Sequence, residues 1–471
     1  MSRLNRRSFL TGSTAALAAP VVRASAQSAD VDIAIVGAGA AGIAAARHAT
    51  AVRASVAVFE AGPRIGGRCT TDTSLGVPFD LGAHWMHDPD SNSVVTMAHG
   101  GGFDIYPAPR GQIIRIGPRN ARDAELENFL AGLLAARRAL DQAGRAKTDI
   151  AAAQTLPADL GVWRSTIAFT LGAFVCGQDL DRISAQDLAR AGPRDRAAFC
   201  RQGYGALLAK LGTGLPVRLS TPVTRIDWYR DRVELSTARG RLTARAAIVT
   251  VSTNVLAADK IEFEPDLPHE SLQAAQALAL GSYDHVGLLM PGNPLGLQRD
   301  DLVFEQSNGP RTAALLARVG GSDLHTVELA GSFGRELSAQ GEASMVAFAR
   351  EWLSSLFGAR AGHAGNKVRT TRWNAEPYVL GAMSVAAPGH AEARSALAEP
   401  IGGRIWLAGE AVHATKWGTV AGAWESGERA ADAALRRLGL LKQPQAEAPA
   451  RRAREKREQG RGRRHHRRDD D

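Results

Sequence analysis

The stretch from Val31 to Glu60 reads VDIAIVGAGAAGIAAARHATAVRASVAVFE, and it decides the fold. The apolar run Val31–Val36 predicts a buried parallel strand, and Val56–Phe59 predicts a second one. The alanine-rich run Ala40–Thr50 between them predicts a helix. The stretch therefore predicts a strand–helix–strand unit of an α/β protein.

Three glycines at the first turn of this unit have the GxGxxG spacing. Gly37 permits the tight turn, Gly39 lets a pyrophosphate approach the backbone, and Gly42 lets the helix pack on the strand. The helix N-terminus, which includes Ala41, offers free N–H groups and a partial positive charge to the phosphates. Glu60 ends the second strand, where its carboxylate accepts hydrogen bonds from a ribose. We therefore expect a dinucleotide site.

The segment that follows indicates which dinucleotide binds. Glu60–Arg68 reads EAGPRIGGR and resembles the second signature of the flavin-containing amine oxidase family, acid-Ala-x-x-Arg-x-Gly-Gly-Arg. The resemblance implies FAD, with Ala61, Gly67 and Arg68 near a phosphate. The chain departs from the pattern at Gly62, where many relatives carry an arginine.

A second segment, DLGAHWMH from Asp80 to His87, resembles the part of the same family that runs along the flavin ring. The resemblance implies that Gly82, Ala83, His84 and Trp85 lie beside the isoalloxazine. The resemblance continues to about residue 434. The other cofactor contacts that it implies are Val223 at the adenine, Trp373, Gly409 and Glu410 at the ribityl or phosphate part, and Thr419 and Val420 at the flavin pyrimidine.

The resemblance also implies three catalytic positions. His285 stands where the family has a lysine that holds a water near the reactive flavin nitrogen. An imidazole there titrates near neutral pH, and a structural histidine is the alternative. Trp417 and Met383 stand at the two walls facing the ring, with core packing as the alternative for each. Ala382 replaces the cysteine that attaches FAD in mammalian monoamine oxidases, so FAD is expected to bind non-covalently.

The expected fold is a discontinuous Rossmann-like FAD-binding domain interleaved with a mixed α+β substrate domain. The predicted boundaries are a signal peptide at 1–26, FAD-binding parts at 27–90, 212–256 and 401–440, substrate-domain parts at 91–211 (mostly helical) and 257–400, and a disordered basic tail at 441–471.

The two ends of the chain bear on its location and partners. The run NRRSFL at Asn5–Leu10 is typical of a twin-arginine signal, with Ala24–Ala26 as a cleavage site. Export by the twin-arginine translocon to the periplasm or beyond is therefore expected, and the apolar run 10–22 is too short for stable membrane insertion. The net charge of +9 lies almost wholly in the two ends, so we expect the folded body to bind no nucleic acid.

The leading functional hypothesis is FAD-dependent oxidation of an amine to an imine, with O2 as electron acceptor and hydrogen peroxide as product. The alternatives are an FAD desaturase or dehydrogenase with another acceptor, and a non-catalytic flavin-bearing binding protein. The substrate class stays open between monoamine, polyamine and amino acid. A polyamine would need acidic side chains along its path, for which Asp88, Glu305 and Glu376 are candidates. No His or Cys spacing predicts a metal site.

Overall fold

The structure is a computed structural model that describes residues 29–109, 111–192 and 194–442, so the predicted signal peptide and nearly all of the predicted tail lie outside the described residues. Its strands are β1 Val31–Val36, β2 Val56–Phe59, β3 Thr71–Asp72, β4 Phe79–Asp80, β5 Met86–His87, β6 Ile105–Pro107, β7 Ile113–Ile116, β8 Arg119–Asn120, β9 Ala197–Cys200, β10 Val217–Arg218, β11 Val223–Trp228, β12 Val233–Thr237, β13 Gly240–Val249, β14 Glu262–Glu264, β15 Tyr283–Leu289, β16 Leu302–Glu305, β17 Ala314–Leu316, β18 Leu324–Ala330, β19 Lys367–Thr370 and β20 Ile405–Leu407. Its helices are α1 Ala40–Ala51, α2 Ser93–Gly100, α3 Asp123–Ala143, α4 Arg164–Leu171, α5 Ala173–Cys176, α6 Ala185–Arg190, α7 Tyr204–Leu211, α8 Thr253–Ala257, α9 His269–Ala277, α10 Gly331–Gln340, α11 Glu342–Phe357, α12 Ala359–His363, α13 Ala393–Ala398 and α14 Val420–Arg437.

The first large sheet has the strand order β10-β2-β1-β13-β12-β11-β14, with β20 also paired to β13. Strands β2, β1, β13 and β20 run parallel, and β11–β13 form an antiparallel meander. The sheet therefore gathers three separate stretches of the chain, as a discontinuous Rossmann-like domain requires. It also takes in β14, which the predicted boundaries assign to the substrate domain.

Helix α1 packs against α14 because both helices carry small residues where they meet. A Cβ atom added at Gly427 of α14 would lie 2.1 Å from the carbonyl oxygen of Ala41 in α1. Ala45 and Ala46 of α1 and Ala431 of α14 are buried in the same core. The alanine and glycine content of α1 thus brings the C-terminal helix onto the N-terminal strand–helix unit.

The second large sheet has the order β19-β15-β18-β17-β16-β7-β8. Side chains of a strand alternate between the two faces of a sheet. Val286 of β15 and Val327 of β18 therefore face α11, where they pack with Phe348 and Trp352. The residues that alternate with these valines along β15 and β18 face the opposite side of the sheet. On that side lies a cavity whose wall contains Tyr283, His285 and Glu328.

The fold-class prediction is confirmed, and Val31–Val36 and Val56–Phe59 are strands with the predicted bounds. Within the described residues no helix is both long and apolar enough to cross a bilayer. The three cysteines, Cys69, Cys176 and Cys200, are free thiols, and all are buried.

Candidate active site

A cavity of about 1120 Å³ lies where the two large sheets face each other. Its wall contains nearly all of the predicted cofactor-binding residues and two of the three predicted catalytic ones. The predicted residues on the wall are Gly37, Gly39, Ala41, Glu60, Ala61, Gly67, Arg68, Gly82, Ala83, His84, Trp85, Val223, His285, Trp373, Met383, Gly409, Glu410, Thr419 and Val420. Gly42 and Trp417 are not on it.

The glycine loop is packed too closely to carry side chains at Gly37 and Gly42. Gly37 has φ +102°, and a Cβ atom there would lie 2.4 Å from Thr250 Oγ1. A Cβ atom at Gly42 would lie 1.9 Å from the carbonyl oxygen of Gly37, so Gly42 lets α1 approach β1 and does not itself face the cavity. Gly39 provides no side-chain cap for α1. The first N–H groups of the helix are therefore open to a phosphate.

Glu60 is fixed by the backbone of the same loop. Its Oε2 accepts a hydrogen bond from Ala38 N at 2.7 Å, and its Oε1 accepts one from Gly62 N at 2.7 Å. Burial raises the pKa of Glu60, and the two N–H groups oppose that rise. A carboxylate held in this way at the end of β2 keeps lone pairs for ribose hydroxyl groups.

Arg68 and Glu410 form a buried ion pair in the middle of the cavity wall. Arg68 Nη1 donates to Glu410 Oε1 at 2.9 Å, while Glu410 Oε2 accepts from Ser384 Oγ at 2.6 Å and Gly418 N at 2.8 Å. Burial favours a raised pKa for Glu410, but Arg68 and these donors hold it below its usual value. Nε and Nη2 of Arg68 have no partner among the described residues, which leaves them for a phosphate.

The segment after β4 is too crowded to carry a side chain at Gly82. A Cβ atom there would lie 2.0 Å from the Arg68 carbonyl oxygen and 3.1 Å from the Trp373 ring. Trp373 Nε1 donates to the Leu81 carbonyl at 2.8 Å, which fixes the indole beside this backbone. Thr419 caps α14 by accepting from Gly422 N at 2.9 Å. A flat group can lie against the exposed backbone here, near the positive end of α14.

The glycine loop, the carboxylate of Glu60, the free donors of Arg68 and the backbone at Gly82 are the kinds of group that would hold FAD. Residue 382 bears on whether FAD is attached covalently. Ala382 lines the cavity at the expected position, and its methyl group offers no atom for a covalent link.

The other end of the cavity combines apolar walls with a polar cluster. Leu171, Phe174 and Phe304 line it, with the Phe174 and Phe304 rings 4.8 Å apart between centroids. The cluster consists of Tyr283, His285, Glu328 and His84. Tyr283 donates its phenol proton to Glu328 Oε2. If an amine enters this end, these four residues are the main partners for its polar group.

His285 behaves differently from the near-neutral titration that the sequence suggested. Its Nδ1 lies 3.1 Å from the Asp80 carbonyl oxygen, which only accepts hydrogen bonds, so Nδ1 carries the proton and Nε2 is an acceptor. Burial lowers the pKa of His285 to about 4, although the Asp80 carbonyl opposes this. His285 is therefore neutral at physiological pH, with Nε2 available to a water molecule.

His84 and His87 both line the cavity but differ in their partners. His84 Nδ1 lies 3.2 Å from Asp80 Oδ2, and its Nε2 has no partner among the described residues. Burial, followed by the nearby Arg194, lowers the pKa of His87 to about 3, which keeps this ring neutral.

Trp417 is the one predicted wall residue that the structure moves away from the site. Its side chain is 0% exposed and lies between two guanidinium groups, with Arg194 at 4.8 Å and Arg394 at 4.5 Å from the ring centre. Its Nε1 donates to the Asp187 carbonyl at 3.3 Å. The physical reason is the turn at Gly418, whose φ of +67° lets the chain reverse between the buried indole and the cavity-facing Thr419. The expectation that Trp417 forms a wall facing the flavin ring is therefore corrected in favour of its alternative, core packing.

Sequence reasoning also missed two charged residues of the cavity. Glu328 lies opposite His285 on the sheet, whereas of the three acids proposed for a polyamine path only Glu376 lines the cavity. Glu376 perturbs Glu60 and so lies toward the ribose end. Arg194 lines the cavity, donates to the Trp417 carbonyl at 2.6 Å and has no carboxylate within 4.0 Å among the described residues. Apart from the alternation of polar and apolar residues in β18, no sequence signal pointed to either.

Among the described residues no cluster of His, Cys, Asp or Glu side chains could hold a metal ion.

Known proteins resemble the chain along most of its length. It is 27% identical over 442 residues to the human (Homo sapiens) lysine-specific histone demethylase 2, covering 84% of this chain and 52% of that protein. It is 26% identical over 457 residues to polyamine oxidase 4 of Oryza sativa subsp. japonica, covering 87% and 89%. The chain thus spans about half the length of the demethylase and most of the polyamine oxidase.

Solved structures share the fold. The cyclohexylamine oxidase of Brevibacterium oxydans IH-35A superposes with a TM-score of 0.73 at 22% identity, covering 87% of this chain and 100% of that one. A putrescine oxidase with bound putrescine gives 0.73 at 19% identity, covering 85% and 98%. The family model described as flavin containing amine oxidoreductase matches residues 40–435. Because that model covers most of the chain, the chain belongs to the flavin-containing amine oxidoreductase family.

Proposed function

We propose that the chain oxidises an amine to an imine and passes the electrons to O2, which gives hydrogen peroxide, while water hydrolyses the imine to a carbonyl compound. FAD, held by the cradle from Gly37 to Thr419, supplies the two-electron acceptor for the substrate C–H bond. The observation that carries the proposal is the junction of that cradle with a buried cluster, neutral His285 beside Glu328 and Tyr283, in a largely apolar chamber.

The residues of the chamber have three tasks in this reaction. The apolar walls, including Phe174 and Phe304, exclude water and favour the neutral amine over the ammonium ion. Met383 packs against Gly418, where an added Cβ atom would lie 3.5 Å from Met383 Cγ. The Met383 side chain therefore limits where a substrate can lie. His285 Nε2 can hold a water molecule, the role that the family's lysine has near the reactive flavin nitrogen. These groups orient and desolvate the substrate, and they leave electron transfer to the cofactor.

Anaerobic bleaching of the bound flavin by a panel of amines tests the proposal. The panel contains benzylamine, putrescine, spermidine and phenylalanine, with the wild-type holoenzyme read by its visible absorbance. Bleaching by any member and fast recovery in air support the oxidase. Bleaching without recovery in air supports a dehydrogenase or desaturase with another acceptor. No bleaching by any amine contradicts the proposal and favours a flavin-bearing binding protein.

The same panel addresses the substrate class. Among the described residues, Glu328 is the buried carboxylate beside the apolar walls at Phe174 and Phe304. This supports an amine with an apolar body over a polyamine, which needs several acids. Arg194, which has no carboxylate within 4.0 Å among the described residues, favours instead an anionic group on the substrate. Faster bleaching by phenylalanine than by benzylamine, abolished in Arg194→Met, would identify an amino acid oxidase.

We propose that FAD binds non-covalently because Ala382 offers no linking atom. Acid precipitation should release all of the yellow colour into the supernatant. Flavin that stays with the precipitate would contradict this. Glu60→Gln should weaken FAD retention on gel filtration, since each of its two charge-assisted hydrogen bonds contributes about 1.5–3 kcal/mol to the loop that binds the cofactor.

We also propose export through the twin-arginine translocon, which carries folded proteins and so accepts a protein already loaded with FAD. The signal lies outside the described residues and rests on the sequence alone. Arg6→Lys combined with Arg7→Lys should leave flavin-loaded precursor in the cytoplasm, measured by fractionation and immunoblot. Normal export of the double variant would rule out this route.

A further inference from the structure

Three side chains that meet on the cavity face of the second sheet have chemistry beyond shaping the chamber. His285 and Glu328 are directly paired residues of the antiparallel strands β15 and β18, and such pairs have neighbouring side chains on one face. Tyr283 is two residues before His285 on the same face. The Tyr283 and His285 rings are 5.5 Å apart between centroids. All three groups line the cavity.

Glu328 is a buried carboxylate with only part of its hydrogen-bonding capacity used. The residue is 2% exposed. Its Oε2 accepts from the Tyr283 phenol, and its Oε1 has no partner among the described residues. Asp284, the residue before His285 in β15, is better satisfied. It accepts hydrogen bonds from Thr371 Oγ1 at 3.0 Å and Trp373 N at 2.8 Å. A buried carboxylate with an open oxygen is costly unless a ligand or a proton completes it.

The surroundings of Glu328 raise the pKa of its carboxyl group well above the usual value. Burial raises the pKa of Glu328 to about 7, while the Tyr283 hydrogen bond and the nearby His84 oppose the rise. The titratable groups that face it are Tyr283 and His285 from β15, and Asp80 and His84 from β4 and the segment after it. Its partner on β17 is Ala314, which carries no charge. A base with a pKa near the working pH is suited to proton transfer.

We propose that Glu328 is the base that takes the proton from the substrate ammonium ion, with the Tyr283 phenol positioning its carboxylate. The inference rests on the proposed function. It assigns a catalytic residue that the sequence did not indicate, and it implies a substrate that enters as a cation.

The step balances as a simple proton transfer. One N–H bond of the ammonium group breaks, its electron pair stays on nitrogen, and an O–H bond forms at Glu328 Oε1. No electron is transferred in this step. The neutral amine then has the lone pair that the C=N bond requires when FAD, the oxidant of the proposed reaction, accepts the electrons of the C–H bond. The apolar walls assist because they lower the pKa of an entering ammonium group toward that of Glu328.

Stopped-flow flavin reduction in the anaerobic holoenzyme tests this assignment, with benzylamine and putrescine as probes from about pH 5.5 to about pH 9.5. The wild-type rate should rise with pH through a pKa near 7. Glu328→Gln should lose that rise and slow benzylamine oxidation about 100-fold at neutral pH. Glu328→Asp should keep a rise at a reduced rate. Tyr283→Phe should move the rise to higher pH, because it removes a donor that stabilises the carboxylate.

Two controls separate Glu328 from its neighbours. His285→Asn should keep the rise near pH 7, since His285 is already neutral there. Glu305→Gln alters another buried carboxyl of the sheet, held by Trp352 Nε1 at 2.7 Å and Thr312 Oγ1 at 2.8 Å outside the cavity wall, and should leave the profile unchanged. Infrared titration of the resting holoenzyme should show a carboxylic-acid C=O band that disappears near neutral pH and is missing from Glu328→Gln.

The outcomes distinguish this inference from the proposed function. An unchanged pH profile in Glu328→Gln overturns the inference while leaving amine oxidation intact. A defect confined to putrescine also overturns it, because Glu328 would then bind a distal ammonium group. Absence of bleaching by any amine in the wild type removes both.

Discussion

Asp187 and Glu328 are both buried carboxylates, and their surroundings are nearly opposite. Asp187 is 0% exposed and accepts from Arg394 Nε at 2.7 Å, Arg394 Nη2 at 2.8 Å and Ala386 N at 3.2 Å. Glu328 has one phenol donor and faces the cavity. The first group is complete without a ligand, and the second is not. The contrast indicates that the Asp187 region holds elements together, while the Glu328 region is kept incomplete for chemistry.

The Asp187 region joins distant parts of the chain. Asp187 belongs to α6, Arg394 to α13, and Arg394 also donates to Ser384 Oγ at 2.9 Å and to the Ala411 carbonyl at 3.0 Å. Trp417 covers the guanidinium. This network reaches Ser384 and Ala411, the residues that follow Met383 and Glu410, so it supports the cavity wall without lining the cavity.

Breaking the Asp187 region should give the largest effect. Arg394→Met leaves a buried carboxylate without its cation, which should lower the free energy of unfolding by about 3–5 kcal/mol. Urea unfolding followed by tryptophan fluorescence measures this. A loss below about 1 kcal/mol would show that the pair contributes no more than a surface ion pair.

The Glu328 region should show a pH-dependent instability instead. Because burial raises the folded-state pKa of Glu328 to about 7 from an ordinary 4.5, its contribution to stability is fully present below about pH 4.5 and is lost as pH rises through about 7. Relative to Glu328→Gln, the wild-type unfolding free energy should fall by on the order of 3 kcal/mol between about pH 4 and about pH 8. Equal pH slopes for the two proteins in urea titrations would contradict the shift.

Trp417→Phe should have an effect of intermediate size on the free energy of unfolding. The phenyl ring keeps the contact with both guanidinium groups but loses the hydrogen bond to the Asp187 carbonyl and part of the packing. We expect a loss of about 1–2 kcal/mol in unfolding free energy, with flavin reduction by amines within about twofold of wild type. A large fall in reduction rate without a loss of stability would return Trp417 to the active site.

The smallest effect should come from an exposed ion pair. Like Asp187–Arg394 it joins an arginine to a carboxylate, but it is not buried. Arg311 Nη2 and Glu351 Oε2 are 3.1 Å apart, with side chains 59% and 71% exposed. Glu351→Gln should change the unfolding free energy by less than about 1 kcal/mol, and the change should vanish in high salt. A larger effect would mean that burial is not what separates the two pairs.

The dinucleotide half could be read from the sequence because its signals are contiguous. Gly37, Gly39 and Glu60 sit within a single strand–helix–strand unit, whose geometry follows from local rules. Gly42 shows how far this prediction reaches. It lets α1 pack on β1, as predicted for the third glycine, but it does not line the cavity. The order of the later segments came from family resemblance, which local physics alone would not provide.

The reactive end could not be read in the same way. Glu328 reaches His285 only through the register of β15 and β18, and nothing local in either strand fixes that register. Trp417 was misplaced because one left-handed residue, Gly418, changes the face on which the neighbouring side chains lie. The pKa of His285 depends on burial beneath Phe79 and on the Asp80 carbonyl, contacts that exist only after folding.

The three buried thiols bear on how such a protein would survive its own turnover. An oxidase that reduces O2 in this cavity releases hydrogen peroxide next to Cys69, which is on the wall. Peroxide attacks the thiolate and spares the thiol. Burial raises the pKa of Cys200 to about 11 and that of Cys176 to about 12, and it raises the pKa of Cys69 as well. Held in the protonated form, these sulfur atoms are poor targets, so burial would protect them from the peroxide that the proposed reaction forms.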